Sequence, residues 1–139
     1  MSKVPFEQAV IDAAKHDPRY ALEAYHFLRD ALDTTMKSME KGRKDANYHV
    51  SGAELCEGVR EYALQQFGPM VPTIFDAWNI RTTRDIGEMV FNLIHTGAFS
   101  SSDSDRVEDF EEVFRFEDVF EKPFLPGRGM APTPSRRRR

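Results

Sequence analysis

Cysteine occurs once in 139 residues, as Cys56. No internal disulfide is possible, so packing alone must hold the fold. Long apolar runs are equally scarce: none approaches the roughly 20 residues that a membrane-spanning helix needs. Met1 to Val10 lack the basic-then-apolar pattern of a signal peptide. One cysteine fits a reducing cytoplasm, which is the expected location; no membrane partner is expected. Metal patterns are missing too. There is no H-E-x-x-H and no cysteine cluster, and His16, His49 and His95 stand isolated. Glu23 and His26 form one E-x-x-H pair, whereas di-metal carboxylate bundles use two such pairs with further Glu on facing helices. Neither G-x-x-x-x-G-K nor G-x-G-x-x-G is present to cradle a phosphate. Glu54 and Glu57 flank Cys56 and push a thiol pKa up, and no base is visible beside it. No catalytic residue, metal or cofactor is therefore expected, and the chain reads as a protein without enzymatic activity.

What is present is ordinary globular composition: 40% hydrophobic and 30% charged residues, with 11 Phe. That suits one domain with an aromatic core. The net charge of −4 conceals a segregation. Residues 122–139 hold Lys122, Arg128, Arg136, Arg137, Arg138 and Arg139 and no acid. The other 13 Lys and Arg face all 23 acids within residues 1–121, leaving −10 there. An acidic body with a basic end points to an interaction arm.

Periodicity predicts five helices. Phe6, Ala9, Val10 and Ala13 mark the first. Asp17 reads as the cap of the second, with Pro18 as its first residue and Leu22, Tyr25, Leu28, Leu32, Met36 and Met39 on its inner face. Ser51 and Glu54 form a capping box for the third, with Val50 and Leu55 placed as a hydrophobic staple, and Gly68-Pro69 ends it. Val71, Ile74, Phe75 and Trp78 share one side of a fourth, followed by a turn at Asn79-Ile80. Thr82 and Asp85 open a fifth that turns Ile86, Met89, Val90, Leu93 and Ile94 inward and stops at Gly97. Ala98-Phe99-Ser100 and Val113 to Phe116 read as two strands of a β-hairpin. Helix is the alternative for residues 105–121, where Val107, Phe110, Val113 and Phe114 also lie at helical spacing. From Lys122 onward Pro, Gly, Arg and Ser dominate, which predicts disorder. The expected fold is mainly α: a five-helix globular domain over residues 1–121, a short C-terminal hairpin, and a disordered tail over 122–139.

The order helix, turn, helix, strand, loop, strand resembles a winged-helix module, with residues 82–97 where a recognition helix sits and 98–116 as the wing. Arg81 and Arg84 are the candidate nucleic-acid contacts of that helix. The stretch that includes and follows the wing is acidic: nine carboxylates between Asp103 and Glu121 oppose only Arg106 and Arg115, and phosphates are repelled there.

Several segments together resemble a known family: Asp17-Pro18-Arg19-Tyr20, Ala24-Tyr25-His26-Phe27, His49-Val50-Ser51-Gly52 with Glu54-Leu55, Phe67-Gly68, Trp78, Val90-Phe91-Asn92-Leu93 and Phe114-Arg115-Phe116. They resemble the small bacterial family described as the signature protein of the planctomycete, verrucomicrobial and chlamydial superphylum, over residues 5–120. The resemblance implies a cytoplasmic housekeeping role with nucleic acid as a suggested partner, and the family has no established activity or catalytic residues. The expected function is thus association with RNA or DNA, the ribosome included, without sequence reading. Lys122, Arg128, Arg136, Arg137, Arg138 and Arg139 would bind, because arginine holds a permanent, forked charge for phosphate. The alternative is a protein-interaction adaptor using the acidic stretch 103–121 and an aromatic groove, or a tail that docks on an acidic protein.

Overall fold

In the computed structural model, residues 5–42, 50–99 and 106–125 are described. They form five α-helices: α1 (Phe6–His16), α2 (Leu22–Gly42), α3 (Gly52–Phe67), α4 (Val71–Trp78) and α5 (Thr83–His95). α2 lies along α3, and α1 packs on both α2 and α5. α5 also reaches α2 and α3, so its apolar side is the centre of the bundle: Ile86, Met89, Val90 and Leu93 are all buried.

The helix boundaries follow local chemistry. Ser51 Oγ accepts the Glu54 N–H while the Glu54 carboxylate accepts the Ser51 N–H, so two orphan donors are satisfied at the start of α3. Thr82 and Asp85 do the same for α5. α3 stops where Gly68 takes φ +52°, a conformation that penalises any Cβ. Asn79 ends α4 at φ +68°, and asparagine is one of the few side-chain-bearing residues tolerated there.

Two helix readings need correction. α2 begins at Leu22, not Pro18, because Asp17 is extended and spends its carboxylate on other partners. Its inner stripe is Ala24, Tyr25, Phe27, Leu28, Ala31 and Thr35, while Leu22 and Met36 are 45% and 40% exposed. At Thr35 the helix meets α3 closely. A Cβ built on Gly58 would lie 1.8 Å from Thr35 Oγ1, which itself bonds the Ala31 carbonyl at 2.7 Å.

The β-hairpin is not formed among the described residues. The backbone N–H groups of Ala98 and Phe99 both turn back to the Leu93 carbonyl, at 2.9 and 3.2 Å, closing the end of α5 instead of pairing with a strand. Residues 106–125 instead make a strap of short turns: Val107–Phe110 and Lys122–Phe124 are 3-10 turns, and Glu117–Glu121 is a π turn. The strap is held by burial. Phe120 and Phe110 enter the core, and Phe75 meets the rings of Phe116 and Phe120 at 5.6 and 5.5 Å. Thr83, itself buried, clasps the strap. Its hydroxyl donates to the Phe110 carbonyl at 2.6 Å and accepts the Val113 N–H at 3.2 Å. The alternation of Val113, Phe114, Arg115 and Phe116 is thus satisfied by packing, with Phe114 and Phe116 both against Phe120. Without a hairpin the winged-helix likeness loses its wing. Residues 122–125 continue the strap, and the rest of the expected tail, residues 126–139, lies outside the described residues.

Replacing Gly58 with Ala should lower stability by about 1–3 kcal/mol through overpacking at the α2–α3 crossing. Thr35→Ala in the same chain should recover part of that loss, because the two positions touch. Urea midpoints of the two single variants and the double variant check both statements.

Candidate functional site

Three places combine polar chemistry with defined geometry. The first is a partly buried lock between the α1–α2 turn and α5. Asn92 is 8% exposed on an otherwise apolar helix face, so its amide needs partners. It donates to the Asp17 carboxylate at 2.9 Å and to the Tyr25 hydroxyl at 3.0 Å. Arg19 grips the same carboxylate with two donors, at 2.8 and 2.7 Å, the forked arrangement that favours arginine. The Arg19 guanidinium, helped by Asn92 and opposed by burial, holds the Asp17 carboxyl far below the usual carboxylate range. Beside it the Tyr20 hydroxyl donates to Asp85 at 2.5 Å. Burial and that carboxylate push the Tyr20 phenol well up. The cluster is satisfied internally, and its effect is to pin the turn.

The second is a groove of about 440 Å³ between α1, α2, the start of α3, the end of α5 and the strap. Phe6, Leu32, Leu55, Val90, Phe91, Ile94, Phe99 and Phe110 supply its apolar surface. Val50 and Leu55, expected as a hydrophobic staple, both line it. Its charged lining, Arg29, Asp33 and Asp109, lies toward solvent. The Arg29 guanidinium covers the Phe6 ring at 4.5 Å and lies 3.7 Å from Asp30.

The third is the set of arginines expected to meet nucleic acid. Arg81 reaches Asp76 at 2.6 Å and Asn79 at 3.0 Å. Arg84 bridges Glu88 at 3.1 Å and Glu111 at 2.5 Å, which ties α5 to the strap. Lys122 pairs with Asp118 at 3.0 Å. Arg81, Arg84 and Lys122 thus lie beside carboxylates and do not converge on one basic patch. Arg128, Arg136, Arg137, Arg138 and Arg139 lie outside the described residues.

Other chemistry-bearing side chains are engaged structurally. Cys56 is fully buried, and burial, with Glu57 adding to it, pushes its thiol up to about 12. His26 sits edge-on to Phe6 at 5.3 Å and 3.5 Å from Glu7. His16 and His95 are not isolated: their rings stack at 5.0 Å. His49 lies outside the described residues. Among the described residues no group of three or more His, Cys, Asp or Glu gathers to hold a metal, and no helix is long and apolar enough to cross a membrane. No family model, curated protein or solved structure matches the chain.

Two signals for these sites stand in the sequence unread. Asn92 interrupts the apolar stripe between Met89 and Leu93, which demands a buried partner. Asp17 looks like a local cap, but its partner Asn92 is 75 residues away.

Two outcomes are expected. Asp17 is depressed in the folded state, so its stabilisation is complete above its unfolded pKa, about 3.9, and is lost as pH falls toward the native value. Asp17→Asn should cost about 2 kcal/mol at neutral pH and flatten the acid limb of a stability–pH curve between about pH 4 and 2. Cys56 should resist a thiol reagent at pH 8 in the native protein, reacting only at the rate of global opening, as a comparison of labelling with unfolding kinetics will show.

Proposed function

We propose that this chain is a non-enzymatic, cytoplasmic housekeeping protein that associates with RNA or DNA, ribonucleoprotein included, through its basic C-terminal end and without reading sequence. One observation carries the reading: the cations of residues 122–139 have no acid among them, while residues 1–121 carry −10. Phosphate neutralisation by Lys and Arg supplies most non-specific affinity, and four consecutive arginines concentrate it. On the folded body the two candidate arginines, Arg81 and Arg84, are already engaged by carboxylates. A phosphate meeting Arg81 must displace Asp76, and one meeting Arg84 must displace Glu88 and Glu111. The resemblance to the planctomycete, verrucomicrobial and chlamydial signature protein agrees with this reading, and membership of that family is part of the proposal.

Full-length protein should bind labelled structured RNA and duplex DNA at about 50 mM salt and lose about a thousandfold in affinity by 200 mM. A full-length variant with Gln at positions 128, 136, 137, 138 and 139 should lose binding, and Arg81→Ala with Arg84→Ala should keep it. Undiminished binding by the Gln variant, or no binding by the parent at 50 mM, overturns the reading.

A further inference from the structure

An apolar groove with an acidic rim has a recognisable chemistry. We propose that the groove between α2, α5 and the strap docks a protein segment presenting two or three apolar side chains flanked by Lys or Arg. The inference is independent of the tail-borne reading above.

The floor is built by Leu32, Leu55, Val90, Ile94, Phe99 and Phe110, and its volume, about 440 Å³, accommodates a few side chains rather than a whole element. The polar groups sit at the edge. Asp33, Asp109 and Ser51 are exposed and Arg29 is half-buried. A pocket for a small molecule places convergent polar groups inside to orient it; an apolar centre with a polar rim is the layout of a protein interface.

Charge selects the occupant. Asp33 stands on the α2 bank and Asp109 on the strap bank. The strap carries two further exposed carboxylates beside Asp109, Glu108 and Glu112, while Glu111 is held by Arg84. Asp109 accepts only the Arg106 N–H, at 3.1 Å, among the described residues. Among the described residues the groove's cation is Arg29, which is turned onto Phe6 and toward Asp30. A basic flank gains from this edge, and an acidic one is repelled.

The test titrates full-length, isotope-labelled protein with a synthetic amphipathic peptide of Leu and Lys and, separately, with its Leu and Glu counterpart, reading amide shifts. The Leu/Lys peptide should bind, with shifts centred on Leu32, Leu55, Val90, Ile94 and Phe99, and the Leu/Glu peptide should not. Asp33→Lys should weaken binding about threefold at low salt. Leu32→Glu is the decisive variant, since it adds an acid to an apolar floor. Seating in the groove predicts at least about a tenfold loss, whereas diffuse attraction to an acidic surface predicts a gain, which overturns the proposal. Equal binding of the two peptides, or shifts scattered over the acidic surface, overturns it as well. If a chain ending at Leu125 binds the Leu/Lys peptide more than about tenfold tighter, the chain's own C-terminal end is the occupant and the partner assignment fails.

Discussion

The fold hangs on the side-chain amide of Asn92. An amide on the buried face of a helix costs several kcal/mol unless it is bonded, and here it is satisfied by Asp17 from the α1–α2 turn and Tyr25 from α2. Those two bonds fix where α1 ends, where α2 begins and how both lie on α5. The Asp17 carboxylate is in turn neutralised by Arg19, whose backbone carbonyl accepts the Asn79 amide at the end of α4. One polar side chain in the middle of α5 thereby orients three other helices. Apolar packing around it is forgiving of small shifts, whereas these bonds allow one arrangement.

Two glycines set the distances that the lock leaves free. Gly58 lets α3 approach Thr35 on α2, and Gly87 takes the Phe110 ring so closely that an added Cβ would lie 2.7 Å from it. The second contact has a functional side. Phe110 belongs to the floor of the groove and Asp109 to its rim, so the close approach at Gly87 shapes one bank of that surface. Thr83 and the Arg84–Glu111 pair hold the same strap from the start of α5. The groove is consequently a product of the strap's docking rather than of the helices alone.

Features governed by neighbours in sequence were readable in advance. The boxes at Ser51 and Thr82 and the positive-φ stops at Gly68, Asn79 and Gly97 depend on residues within one turn, and they stand where expected. Features decided by distant partners were misread. Asp17 has the residue type and position of a cap, yet Arg19 and Asn92 take its carboxylate and α2 starts later. Val113 to Phe116 alternates like a strand, yet the candidate pairing partner, Ala98-Phe99, gives its N–H groups to Leu93. The largest residues of α2 suggest its inner stripe, whereas the small Ala24, Ala31 and Thr35 are buried in it and Thr35 meets α3 at Gly58. Of the groove, only an excess of phenylalanine was visible; the meeting of α2, α5 and the strap is tertiary. The charge segregation was fully legible, because it needs no folding at all.

The strap's place in chain order has a consequence for biogenesis. Ribosomes deliver α1 to α5 before Phe110, Phe116 and Phe120 exist, and domains begin to fold as they emerge. Until the strap arrives, the apolar side of Phe75 and the surface around Gly87 are open to water. The newborn helical bundle therefore passes through an interval in which its own strap competes with any chaperone, or any neighbouring chain, for the same aromatic seat.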